Sequence, residues 1–267
     1  MKVIVSHDVD HLTVWEHNRD LFIPKHIVRS IIEYLTGSVQ AKELVRRFAN
    51  IRNNQFNNID NLMKYDKNFR IPSTFFIGVN KGKGLNYSIQ NASHWIRKIL
   101  QNGLDVGVHG IAYDNLSQIK FEHDLFREIS NISDFGIRMH YLRGDQKTIR
   151  YLHEAGYLFD ASVYSVQNPF KYIGIWEFPL NIMDAHIFHH GRKWQNWNLD
   201  RMKEATKVLI GEVLKKRMEY CSLLFHDCFF HDSFKTKKDW YTWIIQYLKG
   251  EGFEFVNYRR AIQEIEQ

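Results

Sequence analysis

Ionisable side chains recur in this chain directly after short apolar runs. The run Val3-Ile4-Val5 is followed by Ser6-His7-Asp8-Val9-Asp10-His11, which puts two carboxylates and two imidazoles at one point. His109 closes the stretch DVGVHG, Arg143 follows MHYL, and His226-Asp227 end CSLLF. A single Asp or His after such a run is usually a turn, cap or hydrogen-bonded structural residue, and Asp184 after FPLNIM is read that way. Clustering acids and imidazoles is different, because the desolvation cost is met only by a cation or a proton transfer that uses them. In an extended chain Asp8 and Asp10 share a face. One can hold a metal while the other faces a substrate as a base. Carboxylate oxygen with imidazole nitrogen suits Zn²⁺ or a similar first-row ion.

These groups need a scaffold that brings them to one rim. Apolar runs of strand length lie at residues 3–5, 73–79, 105–110, 137–142, 159–164, 176–180, 221–226 and 253–258. Helical patterns occupy 59–69, 93–102, 121–135, 146–155, 199–217 and 240–250 between them. Gly103, Gly136, Gly156 and Gly252 each stand where a helix would stop before a strand. Alternating strands and helices predict a parallel sheet with crossovers, closed as a barrel or open and doubly wound. In either case the chemistry collects at the carboxyl ends of the strands.

The whole chain, 1–267, reads as one domain with an insertion at 11–58 over one face, and the polar run 52–58 leads back into a crossover helix. The hydrophobic share of 44% supports a core. A formal charge of +6, scattered through the chain, suits anionic glycans, nucleotide-sugars or membrane headgroups, and no nucleic-acid motif accompanies it. Cys221 and Cys228 match no zinc or redox spacing, and no apolar run reaches the length of a membrane span. With the first strand starting at residue 2, these features predict a cytoplasmic protein. The stretch HIFHHGRKWQNW, with His186, His189, His190, Trp194 and Trp197, reads as a covering loop or a sugar-stacking wall.

Taken in order, the motifs resemble those of the polysaccharide deacetylases of the NodB-homology type, carbohydrate esterase family 4. SHDVD is similar to that family's first acidic motif, STFFIGV to its ATFF strand, and DVGVHGIAYDN to its histidine motif. HYLRGD resembles the arginine motif, YLFDASVYS the stretch after it, and LLFHD the final histidine motif. The resemblance covers residues 2 to about 230. It implies an α/β fold, a distorted seven-stranded (β/α) barrel, and metal-dependent removal of an N-acetyl group from a sugar of a polysaccharide or of its lipid- or nucleotide-linked precursor.

By position the resemblance makes Asp8 the general base, Asp10 and His109 metal ligands, Arg143 the group that orients the base, and His226 the acid that protonates the leaving amine. The family's second metal histidine falls on Tyr113, a phenol, which is a poor zinc ligand. Asp114, His7, His11 or water are the candidates to replace it. Two other readings follow from that gap and from the fold. One is a non-catalytic glycan-binding or assembly protein, and the other is a hydrolase of small cyclic amides.

Overall fold

The structure is a computed structural model, and it describes residues 1–18, 20–189 and 197–267. The chain starts with β1 (Lys2–Val9), then forms α1 (Phe22–Leu35), α2 (Ala41–Arg52) and α3 (Ile59–Asn68) before β2 (Thr74–Ile77). Strand and helix then alternate: α4 (Ile89–Gln101), β3 (Asp105–Gly110), α5 (Leu116–Ser130), β4 (Ile137–Met139), α6 (Gln146–Ala155) and β5 (Phe159–Asp160). A hairpin of β6 (Phe170–Tyr172) and β7 (Ile175–Glu177) leads to β8 (Ile182–Met183) and α7 (Asp184–His189). The chain ends with α8 (Leu199–Lys215), β9 (Tyr220–Leu224), α9 (Lys235–Gly250), β10 (Glu254–Val256) and α10 (Tyr258–Ile265).

The strands form one curled sheet in the order β6-β7-β5-β4-β3-β2-β1-β9-β8, with β10 also paired to β1. Every ladder is parallel except that of the β6–β7 hairpin. Among the described residues ten strands therefore stand where seven were expected. The reason is local. Residues 175–183 are one extended run whose first part pairs with β5 and whose last part pairs with β9. Between them Leu180 N donates to Val163 O (2.8 Å) and Asn181 N to Ser222 O (3.1 Å). Pro179, which has no N–H, breaks this run into β7 and β8. The run ties the two ends of the row together, which is what curls the sheet.

The strand period of two sorts side chains between two cores. From β1, Val3, Val5 and Val9 pack under the surrounding helices. Ile4 points the other way, into a smaller interior with Phe76, Phe159, Phe178 and Tyr258, where α10 adds Ala261 and Ile262. That interior needs a glycine at 107, since a Cβ there would lie 2.6 Å from the Phe76 ring and 2.9 Å from Gly136 O. Even-numbered residues of β1 thus face inward, and Asp8 and Asp10 emerge at the carboxyl rim.

Residues 11–58, expected as an insertion, carry α1 and α2. Their hairpin is pinned from within: Arg47 Nη1 donates to Glu33 Oε2 at 2.6 Å and Arg47 Nε to Ser233 O at 2.9 Å. Both cysteines are free and buried. Among the described residues no helix is long and apolar enough to cross a membrane.

Candidate active site and metal centre

Asp8 and Asp10 lie two apart in sequence and have been given opposite surroundings. Asp8 Oδ1 accepts from Arg138 Nη1 at 2.8 Å, and its Oδ2 lies 4.0 Å from His109 Nε2. Arg138, wholly buried, also donates from Nε to Ala161 O (2.9 Å) and from Nη2 to Tyr258 Oη (2.8 Å), with its guanidinium 4.3 Å over the Phe76 ring. Burial works against ionisation of Asp8, but Arg138, followed by His109 and His226, holds its carboxyl below the usual range.

Asp10 is turned to imidazoles instead. Its Oδ1 is 3.1 Å from His109 Nε2 and 3.4 Å from His140 Nδ1, and these two nitrogens are 3.0 Å apart. The far nitrogen of each ring has a carbonyl to bind: His109 Nδ1 donates to Arg138 O (3.0 Å) and His140 Nε2 to Lys83 O (3.2 Å). With those N–H groups committed, three acceptor atoms converge with no hydrogen between them. A proton or a cation must sit there. Burial disfavours the imidazolium of His109, yet Asp8 and Asp10 raise its pKa, and the same two negative charges would hold a metal ion. For Asp10, burial is outweighed by the neighbouring imidazoles of His109, His140 and His226, which keep its carboxyl well below the ordinary value.

The spacing is close to that of a metal's ligands, with two edges shorter by a few tenths of an ångström. Tetrahedral zinc with ligands about 2.0–2.2 Å away separates its ligand atoms by roughly 3.3–3.5 Å. The triangle Asp10 Oδ1, His109 Nε2, His140 Nδ1 has edges of 3.1, 3.0 and 3.4 Å. Carbonyl-anchored imidazoles are how metal-binding histidines are ordinarily oriented.

His226 completes the rim. Its Nδ1 lies 2.9 Å from Asp184 Oδ1, its backbone N donates to Asp184 Oδ2 (2.7 Å), and its Nε2 faces Asp10 Oδ2 at 3.7 Å. Burial alone would neutralise this ring, but Asp184 overrides it and lifts the pKa to about 10. The backbone around the site is strained where it turns: Tyr141 and Leu142, just after His140, have φ of 60° and 51°. Beside the site is a cavity of about 350 Å³ lined by Asp10, His11, Phe22, Lys25, His140 and Tyr141.

Asp8, Asp10, His109 and His226, chosen on sequence, meet at this rim. Arg143 does not orient Asp8. Its Nε donates to His140 O (3.0 Å) and its Nη2 to Ile111 O (2.9 Å), so it braces the loops on either side of the site. The orienting guanidinium is Arg138, because strand β4 points residue 138 inward whereas Arg143 lies beyond the strand in a loop. Tyr113 stacks under Arg143, 5.1 Å from its guanidinium, and Asp114 is exposed. His7 faces the other side of β1: its Nδ1 donates to Phe225 O and its Nε2 lies 2.9 Å from Asp66. His11 lines the cavity, with its Nδ1 against His17 Nε2 at 2.9 Å and His17 Nδ1 donating to Asp20.

Among the described residues the third converging ligand atom is Nδ1 of His140, which had no role in the sequence reading. The signal was available: Arg138 and His140 are two apart at the end of an apolar run and therefore share a face. Asp184, read as a turn residue, is the carboxylate that holds His226. Of the sugar-wall candidates, His186 stacks on Tyr164 (4.2 Å between centroids) and His189 Nε2 meets Arg29 (2.9 Å), while His190 and Trp194 lie outside the described residues.

No family model matches the chain, and no curated protein is a significant match. Solved structures are similar. A Mycobacterium smegmatis protein provisionally named a polysaccharide deacetylase superposes with a TM-score of 0.67 at 14% identity, over 98% of this chain and 88% of that one. Puue allantoinase gives 0.62 at 15% identity, over 97% and 87%. A mutant of BA3943, a CE4 family pseudoenzyme with restored enzymatic activity, gives 0.50 at 10% identity, over 97% and 66%. At such identities the likeness is one of fold. The chain has the NodB-type (β/α) fold of these structures.

Proposed function

We propose that the chain is a metal-dependent amide hydrolase that removes the acetyl group from an N-acetylated sugar, of a polysaccharide or of its lipid- or nucleotide-linked precursor. The observation that carries this reading is the division of labour between two neighbouring acids: Asp8 is paired with a buried guanidinium, and Asp10 is ringed by three imidazoles.

Asp10, His109 and His140 would hold the metal, with zinc the ion that best matches the donor set. When bound, the ion polarises the acyl carbonyl and stabilises negative charge on its oxygen. Asp8 is ionised and fixed through Oδ1, which leaves Oδ2 to take a proton from the attacking water. As water adds to the acetyl carbon, Arg138 keeps the carboxylate aimed. His226, kept protonated by Asp184, donates from Nε2 to the nitrogen as the C–N bond breaks. The products are acetate and a free amine. The sugar ring has Tyr141 and Phe22 to pack against in the adjoining cavity.

Two measurements test this together. Purified protein should carry about one chelator-removable metal ion per chain, and it should release acetate from N-acetylated amino sugars, with Asp8→Asn slowing turnover by about a thousandfold or more while keeping its metal. Wild-type turnover in Asp8→Asn would remove the assigned base. Failure to take up metal after supplementation would favour the non-catalytic glycan-binding reading. Because the fold is shared with an allantoinase, cyclic ureides belong in the same screen, and hydrolysis of these alone would redirect the reading to small cyclic amides.

A further inference from the structure

Exposed apolar side chains are unevenly distributed over this molecule. Of the large hydrophobic residues exposed to solvent, Trp15, Leu21, Val28, Ile31, Tyr34, Leu35, Val45 and Phe48 crowd into residues 11–58, while the others are scattered over the rest of the chain. On α1, Val28, Ile31 and Leu35 are spaced i, i+3, i+7, a single stripe along one helix face, and they are 51, 39 and 75% exposed. They are not part of a core, since the inward face of α1 is already filled by Ser30 and Glu33 against Arg47. On α2, Val45 and Phe48 are exposed in the same way.

Charge on this hairpin is sorted too. Between Leu21 and Arg52 the only acids are Glu33 and Glu43, and both are buried, at 1 and 8% exposure. Glu33 is used up by Arg47 and Arg29, and Glu43 by the backbone of Gln40 and Lys235. Lys25, Lys42 and Arg52 are exposed, and among the described residues no carboxylate pairs with any of them. The outward surface of the hairpin is therefore apolar and basic, with no exposed acid of its own, although Asp232 lies beside it at 3.5 Å from Arg46. A protein partner would commonly require some acceptor groups in return. A bilayer with anionic headgroups requires none, and an amphipathic helix with basic flanks lies in such an interface with its apolar stripe among the acyl chains.

We infer that the α1–α2 hairpin docks the protein on an anionic membrane surface, without spanning it. The site is continuous with this surface: Phe22 and Lys25 from the first turn of α1 line the same cavity as Asp10 and His140. Docking through α1 sets the cavity mouth at headgroup level, where a lipid-linked acetamido sugar is presented. The choice of a lipid-linked substrate rests on the deacetylase reading; the docking itself does not.

The test is co-sedimentation of the full chain with vesicles of phosphatidylcholine alone and of phosphatidylcholine with a third phosphatidylglycerol. Binding should be about tenfold or more stronger to the anionic vesicles and should weaken as salt is raised. Val28→Asp with Leu35→Asp should abolish it, and Lys42→Gln with Arg52→Gln should reduce it at low salt. Both double variants should keep the circular-dichroism spectrum and the rate of acetate release from a water-soluble acetamido sugar. Absence of wild-type binding to anionic vesicles overturns the proposal, as does binding that survives Val28→Asp with Leu35→Asp. A wild-type dimer in sedimentation velocity that this variant converts to monomer, without vesicle binding, also overturns it and assigns the face to a second copy. Vesicle binding without acetate release from any acetamido sugar would leave the docking standing and remove the deacetylase reading.

Discussion

His7 and His109 are both buried imidazoles on parallel strands near β2, each about 3 Å from a carboxylate, yet they sit in networks of opposite kind. His7 lies between the sheet and the helices, where Asp66 also accepts from Ser73 Oγ (2.6 Å) and Tyr241 Oη (2.8 Å). Asp66 has two hydroxyl donors and meets a single ring nitrogen, so one proton between His7 and Asp66 closes the set. His109 lies at the rim, where its Nε2, His140 Nδ1 and Asp10 Oδ1 present lone pairs to one another. That set closes only around something added to it. A complete network stabilises a fold, whereas an incomplete one of matched acceptors provides a binding site.

Perturbing each network should separate the two roles. His140→Ala removes a ligand and should lower zinc affinity about a hundredfold or more, read by competition with a chromophoric chelator, with little change in the metal-free unfolding midpoint. If affinity were unchanged, the third ligand would lie elsewhere. Asp66→Ala leaves the buried Ser73 and Tyr241 hydroxyls without their acceptor and His7 without its carboxylate, and should cost on the order of 3–5 kcal/mol in urea unfolding, with the metal stoichiometry of the folded fraction unchanged. A loss of metal without a loss of stability would reverse the contrast between the networks.

A third comparison concerns acid. Burial opposes ionisation of Glu33, but Arg47, Lys237 and Arg29 overcome it and push the carboxyl down to about 2 from its ordinary 4.5. Because it titrates lower in the folded chain than in the unfolded one, its contribution is complete above about pH 4.5 and is lost as pH falls toward 2. Between pH 5 and pH 3 the wild type should therefore lose on the order of 2 kcal/mol more than Glu33→Gln in urea titrations. Equal losses would show that Glu33 is not held ionised by its partners.

The smallest effect should come from Arg143→Met, which removes two bonds to backbone carbonyls near the surface and should cost about 1 kcal/mol in stability. Arg138→Met strips Asp8 of its buried counter-charge, and acetate release should fall far more than in Arg143→Met. Similar kinetic losses in the two variants would restore Arg143 to the place the sequence suggested.

The alternation of strands and helices, a parallel sheet and the meeting of Asp8, Asp10, His109 and His226 at its rim were legible in the chain, because each depends on a local period and on the rule that parallel strands deliver their carboxyl ends to one side; local period left open whether the sheet curls, which only the motif resemblance implied. Tertiary structure decided the partners. Whether Arg138 or Arg143 reaches Asp8 depends on where β4 stops, and whether Asp184 caps a turn or holds His226 depends on a contact across 42 residues. His140 reaches Asp10 and His109 from the turn after β4; its spacing to Arg138 puts it on the inward face, but only the fold shows which carboxylate it meets there. Likewise, period alone marks α1 as amphipathic. Only the packing of Glu33 and Glu43 inward shows that its outer face is left apolar and basic.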